Sequence, residues 1–596
     1  MRHILCTVSD MFTFAALITC ALGLGTTLLS PLRLPRDRNG EFWALSFAAG
    51  FGLLALILSL LGIVGALKWA RWLIPIGAVV TLAWFGRNFR PWHRPKLRFP
   101  AFGTALVFLL LAVASLGAIA PVTEGDSLAY NLPIAEQLAR DGVWRFWPHM
   151  ARSIYPLSQE FLEAALIVSG NQRIGLVSVA EFTVAAVLIL MFARRITSQS
   201  ATGWMATIIG LGCPAAAFLA GSAKEDLLLT MMTVAGALAL NLSPATGAVI
   251  ATGLFAGFAA GAKYTGLPVA LAVVACVPFF CGRHRRVSSL AVATVTAVAA
   301  GGLSYGVNLV RFGNPLVPLM PSLGHFPISK GAATDWLVGY GYGRGFVDFV
   351  LVPYRMVREV LLLDVGEFGG RGNWINPLVW LGVVWALLNR RRWPTYLPML
   401  AIGLALYVTW FFGMQVIRLL LPAAVLFSIP AAEALLWMVS RVKPLRYPIA
   451  LALALSAGLV VAVGGLRFGR YVSNPATFLE RETDHFDAIQ WMNTHLDKTH
   501  DRVASRFWAA GYLQIPWMNL GPDFQIEISS EELADPTRLR LALKRQGFTH
   551  VFAEPKQVTA LEPWLVPVYT NPDSRLGGAR FFRSALVEPV SVFVLK

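Results

Sequence analysis

The stretch "AFGTALVFLLLAVASLGAIAPVTEGDSLAYNLPIAEQLARDG", residues 101–142, decides how the rest of the chain is read. About twenty uncharged residues run from Ala101, and then two carboxylates, Glu124 and Asp126, arrive almost together. A run of roughly 17–25 apolar residues is enough to cross a bilayer. Acids placed where such a helix leaves the hydrocarbon are in position to act on something held at the membrane surface. The residues that follow have helical periodicity. Leu128, Leu132, Ala135, Leu138 and Ala139 share one face, with Asn131, Glu136 and Arg140 on another. A second amphipathic stretch follows "YPLSQE", with Phe161, Leu162, Ala165 and Leu166 apolar. Trp144, Phe146 and Trp147 lie between the two, a pattern that suits the membrane interface.

Working outward, the same alternation fills three quarters of the chain. Its 596 residues are 56% hydrophobic and only 14% charged, with a mean hydropathy of +0.60. That composition excludes an ordinary soluble domain and predicts a polytopic α-helical membrane protein. Apolar spans are expected at 11–30, 42–66, 70–86, 101–120, 174–193, 203–220, 227–242, 246–262, 265–281, 288–309, 374–389, 394–412, 418–440 and 447–466, about 14 helices. The shorter ones, 227–242 and 246–262, fit tilted or broken helices lining a cavity. The first run lacks a strongly basic leader and a clear small-residue cleavage site, so it reads as a membrane helix rather than a removed signal.

The net charge of +17 sets orientation rather than marking a nucleic-acid partner. Basic clusters almost free of acid separate the apolar runs: "RLPRDR" (33–38), "RNFRPWHRPKLR" (87–98), "ARR" (193–195), "GRHRR" (282–286), "NRRR" (389–392) and "RVKPLR" (441–446). Alternating the spans puts every one of them in the cytoplasm, as the positive-inside rule demands. The same alternation puts 121–173, 221–226, 310–373 and everything after 466 outside. Cys20, Cys213 and Cys276 lie within apolar runs and Cys6 and Cys281 near their ends, so no disulfide framework is expected.

Three regions follow from this: N-terminal membrane helices (1–100), a membrane domain (101–466) with outer loops 121–173 and 310–373, and an outer domain (467–596). The last has the helix "HFDAIQWMNTHL", the helix "RLRLALKRQG", the strand "THVFAEP" and the closing strand "SVFVLK". That alternation reads as a small α/β domain. It has no glycine-rich phosphate loop and no Cys/His metal spacing.

Charged groups at the outer helix ends are the informative ones, because charge near hydrocarbon is costly. They are Glu124 and Asp126; Lys224, Glu225 and Asp226; Lys263; Arg311; and Arg418. Bundled helices would let them converge on one cavity, and such a mixture suggests acid/base chemistry on an anionic, lipid-linked substrate.

The motifs that carry these charges, in their order, resemble the GT-C superfamily of membrane glycosyltransferases, the group of the protein O-mannosyltransferases and lipid A aminoarabinose transferases. The carrying segments are "GDSLAYNLPIAEQLARDG", "YPLSQEFLEAAL", "AGSAKEDLLLTMMTVAGALAL", "GLFAGFAAGAKYTGLP", "RFGNPLVPL" and "QVIRLLLPAAVLFSIPAAEALL", over about residues 100–440. The resemblance implies an inverting transfer of a sugar from a polyprenyl-phosphate donor to an extracytoplasmic glycan, lipid or protein. It implies Asp126 as general base on the acceptor hydroxyl. Many relatives place a second acid directly after this aspartate; here Ser127 stands there and Glu124 lies two residues earlier, a departure that leaves a share of the role for Glu124 open. Lys263 and Arg418 match basic positions near the donor phosphate, with Arg311, Arg355, Arg358 and Arg371 as further candidates from loop location. Tyr130, Tyr155, Glu225 and Asp226 are candidate site-lining or acceptor residues. No metal ligands are assigned, and a divalent-metal requirement stays open, since some members need such an ion. The implied setting is a bacterial inner membrane with the site and the C-terminal domain facing the periplasm.

Plainer roles exist for the same residues. Asp126 can cap the helix that begins near Leu128. Glu225 and Asp226 can begin the helix at 227, where its dipole favours acids. Lys263 and Arg418 can be snorkelling anchors, and His149 and His325 packing residues. A transporter or flippase would carry inverted repeats with helices broken near the midplane, and no internal repeat is seen. A non-catalytic envelope assembly protein is the other alternative.

Overall fold

Helices dominate a computed structural model of the protein, which describes residues 8–35, 39–88, 101–320, 323–325, 341–362, 374–507, 509–521, 524–571 and 589–596. Each of the expected apolar segments is helical, but they are not all of spanning length. Among the described residues seven helices are long and apolar enough to cross a membrane, or up to nine if each of two bent pairs counts as one span. The expected count of about 14 is therefore not reached. The difference lies in five apolar helices of 10–17 residues, Ala105–Ile119, Asp226–Leu240, Thr246–Ala262, Gly266–Phe280 and Val379–Leu388.

The bent pairs explain two expected spans that are not straight. The segment at 203–220 breaks after Leu211 and resumes at Pro214 with a 76° turn. Proline has no amide hydrogen to continue the preceding helix but suits a first turn. The segment at 288–309 bends by 69° at Gly302.

Close helix contacts rely on small residues. A side chain on Gly301 would fall 2.0 Å from the Gly257 carbonyl oxygen, so the Thr246–Ala262 and Arg286–Gly301 helices meet backbone to backbone. That contact fixes the helix end that delivers Lys263, whose extended backbone (φ −164°) stops the helix.

Opposite ends of the bundle differ in charge. The Gly175–Thr197 helix, about 34 Å long at 1.5 Å per residue, ends in Arg194 and Arg195. There Arg195 pairs with Glu41 at 2.8 Å and Arg392 with Glu433 at 3.7 Å. The helix begins at the other end, beside the 121–173 segment. In that segment Ser127–Asn131 forms a π-helical turn that runs into a Leu132–Asp141 helix, followed by a Ser158–Val168 helix. The interface reading of its aromatics is corrected: Trp144 and Trp147 are buried inside the protein. Trp144 packs on Phe161 (ring centroids 5.5 Å apart) and donates its indole N–H to the Ser153 carbonyl. The amphipathic reading of 158–168 fails too, since Gln159, Glu160 and Glu163 are buried along with the apolar face.

The Arg446–Ser473 helix carries the chain into a five-stranded sheet of order β2-β1-β3-β5-β4. Its strands are β1 (Val503–Ser505), β2 (Trp517–Asn519), β3 (His550–Ala553), β4 (Leu565–Thr570) and β5 (Ser591–Leu595). β1 pairs in parallel with β2 and β3; β5 pairs antiparallel with β3 and β4. The expected helices at 485–496 and 538–547 and the strands at 549–555 and 591–596 are present as Phe486–His495, Pro536–Arg545, β3 and β5. β1, β2 and β4, which lack a strong alternating pattern, were not anticipated.

One sheet face packs on the Pro536–Arg545 helix through Leu539, Leu543, Val551 and Phe593. The other shares a core with the 121–173 segment, where Ile489, Met492, Val503 and Phe552 cluster with Val122, Leu128 and Leu132. Hydrogen bonds fasten the same joint. Tyr512 donates to the Val122 carbonyl at 2.6 Å, Ala151 N–H to Phe524 at 2.7 Å, and Ile526 N–H to Pro148 at 2.9 Å. The small domain thus clamps the loop that carries Asp126.

Candidate active site

Capping in the 124–131 turn is done by Glu124, not Asp126. Glu124 Oε1 accepts the Ser127 N–H at 2.8 Å and the Ser127 hydroxyl as well. Asp126 makes no capping bond with its side chain. The Ser127 hydroxyl also accepts the Ala223 N–H at 2.9 Å, which docks the "SAKED" turn against the first loop. That contact sets Lys224 between the two acids, 2.9 Å from Glu124 Oε2 and 2.7 Å from Asp126 Oδ2. Lys224, named from sequence only among the charges able to converge on a cavity, has a side chain 3% exposed and is the hub of this half of the site.

Asp126 Oδ2 also accepts from the Arg418 guanidinium, delivered by the short 3-10 turn Ile417–Leu420 at the head of the Leu421–Arg441 helix. Arg418 Nε reaches within 3.7 Å of Asp226 Oδ2, which joins the first half of the cluster to the second. There Lys263 lies 2.8 Å from Glu225 Oε1 and 2.9 Å from Asp226 Oδ1, and Asn131 donates to Glu225 Oε2 at 3.1 Å. Asp226 begins its helix, as its position suggested, but its carboxylate is spent on cations rather than on a cap. Lys263 and Arg418 face these acids inside the protein, which replaces the snorkelling alternative.

Four carboxylates and three cations thus alternate in a buried network. Such pairs hold together because removing one partner leaves a buried charge uncompensated. Burial works against the Asp126 charge, but Lys224 and Arg418, with Arg152 further off, outweigh it and hold its carboxyl well below the usual range. Asp126 is also among the more open members, with 22% of its side chain exposed.

The remaining predicted residues divide. Tyr130 is near the cluster, its ring beneath the Arg152 guanidinium (4.1 Å) and beside Phe524 of the small domain (6.3 Å). Tyr155 packs on Tyr264, ring centroids 5.3 Å apart, one residue beyond Lys263. Arg311 is not brought into the cluster; it is exposed and donates to the Trp144 carbonyl at 3.2 Å. Arg355 pairs with Asp348 at 2.8 Å and donates to the Tyr342 carbonyl, and Arg358 is exposed. Arg371 lies outside the described residues. His149 faces Glu527 at 3.7 Å and His325 the Arg311 carbonyl at 3.1 Å. Among the described residues no three His, Cys, Asp or Glu side chains converge closely enough to hold a metal ion. Sequence reading missed Arg152 and the buried acids Glu160, Glu163 and Glu181.

No family model and no curated protein matches the chain. Solved structures do. The structure of ArnT from Cupriavidus metallidurans bound to undecaprenyl phosphate superimposes with a TM-score of 0.52 at 15% identity, covering 83% of this chain and 97% of that one. The apo state of ArnT gives the same TM-score and coverage at 16% identity. The chain thus shares the fold of these ArnT structures. With its apolar helices, this makes the chain an integral membrane protein.

Proposed function

We propose that the protein is an inverting glycosyltransferase that moves a sugar from a polyprenyl-phosphate donor to an acceptor hydroxyl, with Asp126 as general base. The observation that carries this reading is the clasp of Asp126 by Lys224 and Arg418 at an open edge of the charged cluster. In the reaction the acceptor oxygen bonds to the anomeric carbon from the face opposite the lipid phosphate. The carbon–oxygen bond to phosphate breaks, its electron pair leaves with the phosphate, and the acceptor proton passes to Asp126.

A carboxylate held between two cations is a weak base. The donor supplies the remedy: its phosphate competes for Arg418, and the contact it gains there relaxes the hold on Asp126, while Lys263 offers it a second cation. Basicity then rises only when the donor is in place. The same cations stabilise the charge that grows on the departing phosphate, as fixed charges do best in a dry site. Glu124 acts by positioning, tying Lys224 and the Ser127 turn together. Tyr130 and Arg152, between Asp126 and the small domain, are the groups an acceptor would meet.

ArnT was captured with undecaprenyl phosphate, and the shared fold supports a lipid of that kind here. The proposed setting is the bacterial inner membrane, with the cluster and the small domain facing the periplasm and the basic turns in the cytoplasm. Mass spectrometry of surface glycans from strains with and without the gene tests the reading. A glycan that loses one sugar upon deletion is expected, and an unchanged profile contradicts it.

A further inference from the structure

The end of the bundle away from the charged cluster holds an open cavity of about 630 Å³, within the roughly 300–1,000 Å³ of ligand pockets. Three helix ends wall it. Gln199 comes just after the Gly175–Thr197 helix, Trp385, Leu388 and Asn389 close the Val379–Leu388 helix, and Glu433 to Ser440 lie in the last turns of the Leu421–Arg441 helix. Glu433, Leu436, Trp437 and Ser440 follow helical spacing and so share one face.

The lining is graded along these helices. Trp385, Leu388, Leu436 and Trp437 make an apolar wall, and Leu388 and Trp437 continue it onto the exposed apolar surface of the bundle. Gln199, Asn389 and Ser440 add polar groups at the helix ends. The Trp385 indole N–H is buried and has no hydrogen-bond partner among the described residues. An apolar wall leading to a polar rim suits an amphiphile.

Charge decides which amphiphile. The turns at the rim carry five cations, Arg390, Arg391, Arg392, Arg441 and Lys443, against one lining acid, Glu433. That acid is already spent: its Oε2 accepts the Tyr396 hydroxyl, and its Oε1 faces Arg392 at 3.7 Å. Arg392 also donates to the Ile196 carbonyl at 3.0 Å, which fixes the 390–392 turn against the Gly175–Thr197 helix. Arg441 reaches back over the Trp437 ring, 5.9 Å from its centroid. The Arg390 and Arg391 guanidinium groups make no ion pair or hydrogen bond among the described residues. Helix C-termini are themselves negative, by about half a unit each, which leaves the rim positive.

We propose that this cavity binds one anionic phospholipid, with a phosphodiester headgroup and no compensating amine, at a site separate from the transferase cluster. Its acyl chains lie along Leu388, Leu436 and Trp437, its phosphate meets Arg390 and Arg441, and the Trp385 N–H serves a headgroup oxygen. Basic pockets between membrane helices take anionic headgroups in this way. A zwitterionic lipid fits less well, because its ammonium would face the same cations with no free acid to receive it. In the topology proposed above, the lipid belongs to the cytoplasmic leaflet.

The test is native mass spectrometry of the full-length protein, delipidated in detergent and titrated with phosphatidylglycerol or with phosphatidylethanolamine of the same chains. Wild type should retain one phosphatidylglycerol far more strongly than phosphatidylethanolamine. A cation near a headgroup is worth about fivefold in affinity, so Arg390→Gln with Arg441→Gln should weaken phosphatidylglycerol by about 25-fold. Ser440→Trp keeps every charge but fills the cavity, and should abolish the tight lipid. Arg283→Gln with Arg286→Gln removes as much charge from another exposed basic turn and should leave the lipid bound.

Equal retention of the two lipids overturns the proposal. Tight binding in Ser440→Trp does so too, since it would mean a diffuse basic surface, as does an equal loss when Arg283 and Arg286 are replaced. Glycerol 3-phosphate that competes as well as the lipid would assign the cavity to a soluble anion and overturn the lipid reading. Sugar transfer is read in none of these arms, so failure of the transferase reading leaves the test intact.

Discussion

Asp126 and Arg418 stand 292 residues apart in the chain and share a direct hydrogen-bonded ion pair. Lys224 closes the pair from a third segment, 2.7 Å from the same carboxylate oxygen. Three loops separated in sequence are thereby held at one point, and the point is partly open to a ligand.

Removing the hub should cost stability. Lys224→Met leaves Glu124 and Asp126 without their shared cation, and loss of one partner of a buried pair costs about 3–5 kcal/mol. Thermal unfolding in detergent should show a clear drop. The double variant Lys224→Met with Glu124→Gln should recover part of it, because one stranded charge is removed.

Arg418→Lys keeps the charge but gives up the planar fork. An ammonium is a point donor that cannot reproduce the guanidinium's geometry toward Asp126 and Asp226 together. Undecaprenyl phosphate affinity should fall by about tenfold, the worth of roughly 1.4 kcal/mol, while the unfolding temperature changes little. A loss of fold instead would assign Arg418 to structure.

Acid should loosen the cluster from the Asp126 side. Its folded pKa is depressed, so its contribution to stability is full above the unfolded value near ~3.9 and is lost as pH falls from there toward the folded value. Unfolding temperature measured against pH should show part of its acid-limb decline disappear in Asp126→Asn.

The clamp of the small domain is open to a steric test. A side chain on Gly511 would place its Cβ 2.5 Å from the Leu128 carbonyl oxygen, so Gly511→Val must push the domain off the loop. Protease should then release a C-terminal fragment that the wild type protects. Tyr512→Phe, which removes the bond to Val122, should cost about 1–2 kcal/mol and leave the clamp closed.

Much of this was legible in the sequence, for physical reasons that differ by residue. Apolar runs announce helices, and acids and cations at their ends are rare enough to stand out; Asp126, Glu225, Asp226, Lys263 and Arg418 all enter the cluster. Helix lengths were less legible. A 20-residue apolar window does not reveal that two segments bend, one before Pro214 and one at Gly302, or that Asp226–Leu240 stops at 15 residues. The roles of Glu124 and Lys224 depended on how the "SAKED" turn docks on Ser127, a contact between segments about 96 residues apart that no local pattern records. Glu160 and Glu163 were hidden by the opposite problem. Their spacing fits the polar face of a surface helix, and only the packing around Ser158–Val168 shows that this face is buried.

The central claim is that Asp126 removes the acceptor proton. The direct measurement is sugar transfer by Asp126→Asn, reconstituted with a polyprenyl-phosphate sugar and an acceptor extract, beside its unfolding temperature and its affinity for undecaprenyl phosphate. The account predicts transfer lowered by about 10²–10⁴-fold, the usual worth of a general base, in a folded protein that still binds the lipid. Full transfer activity in the same folded variant would contradict it.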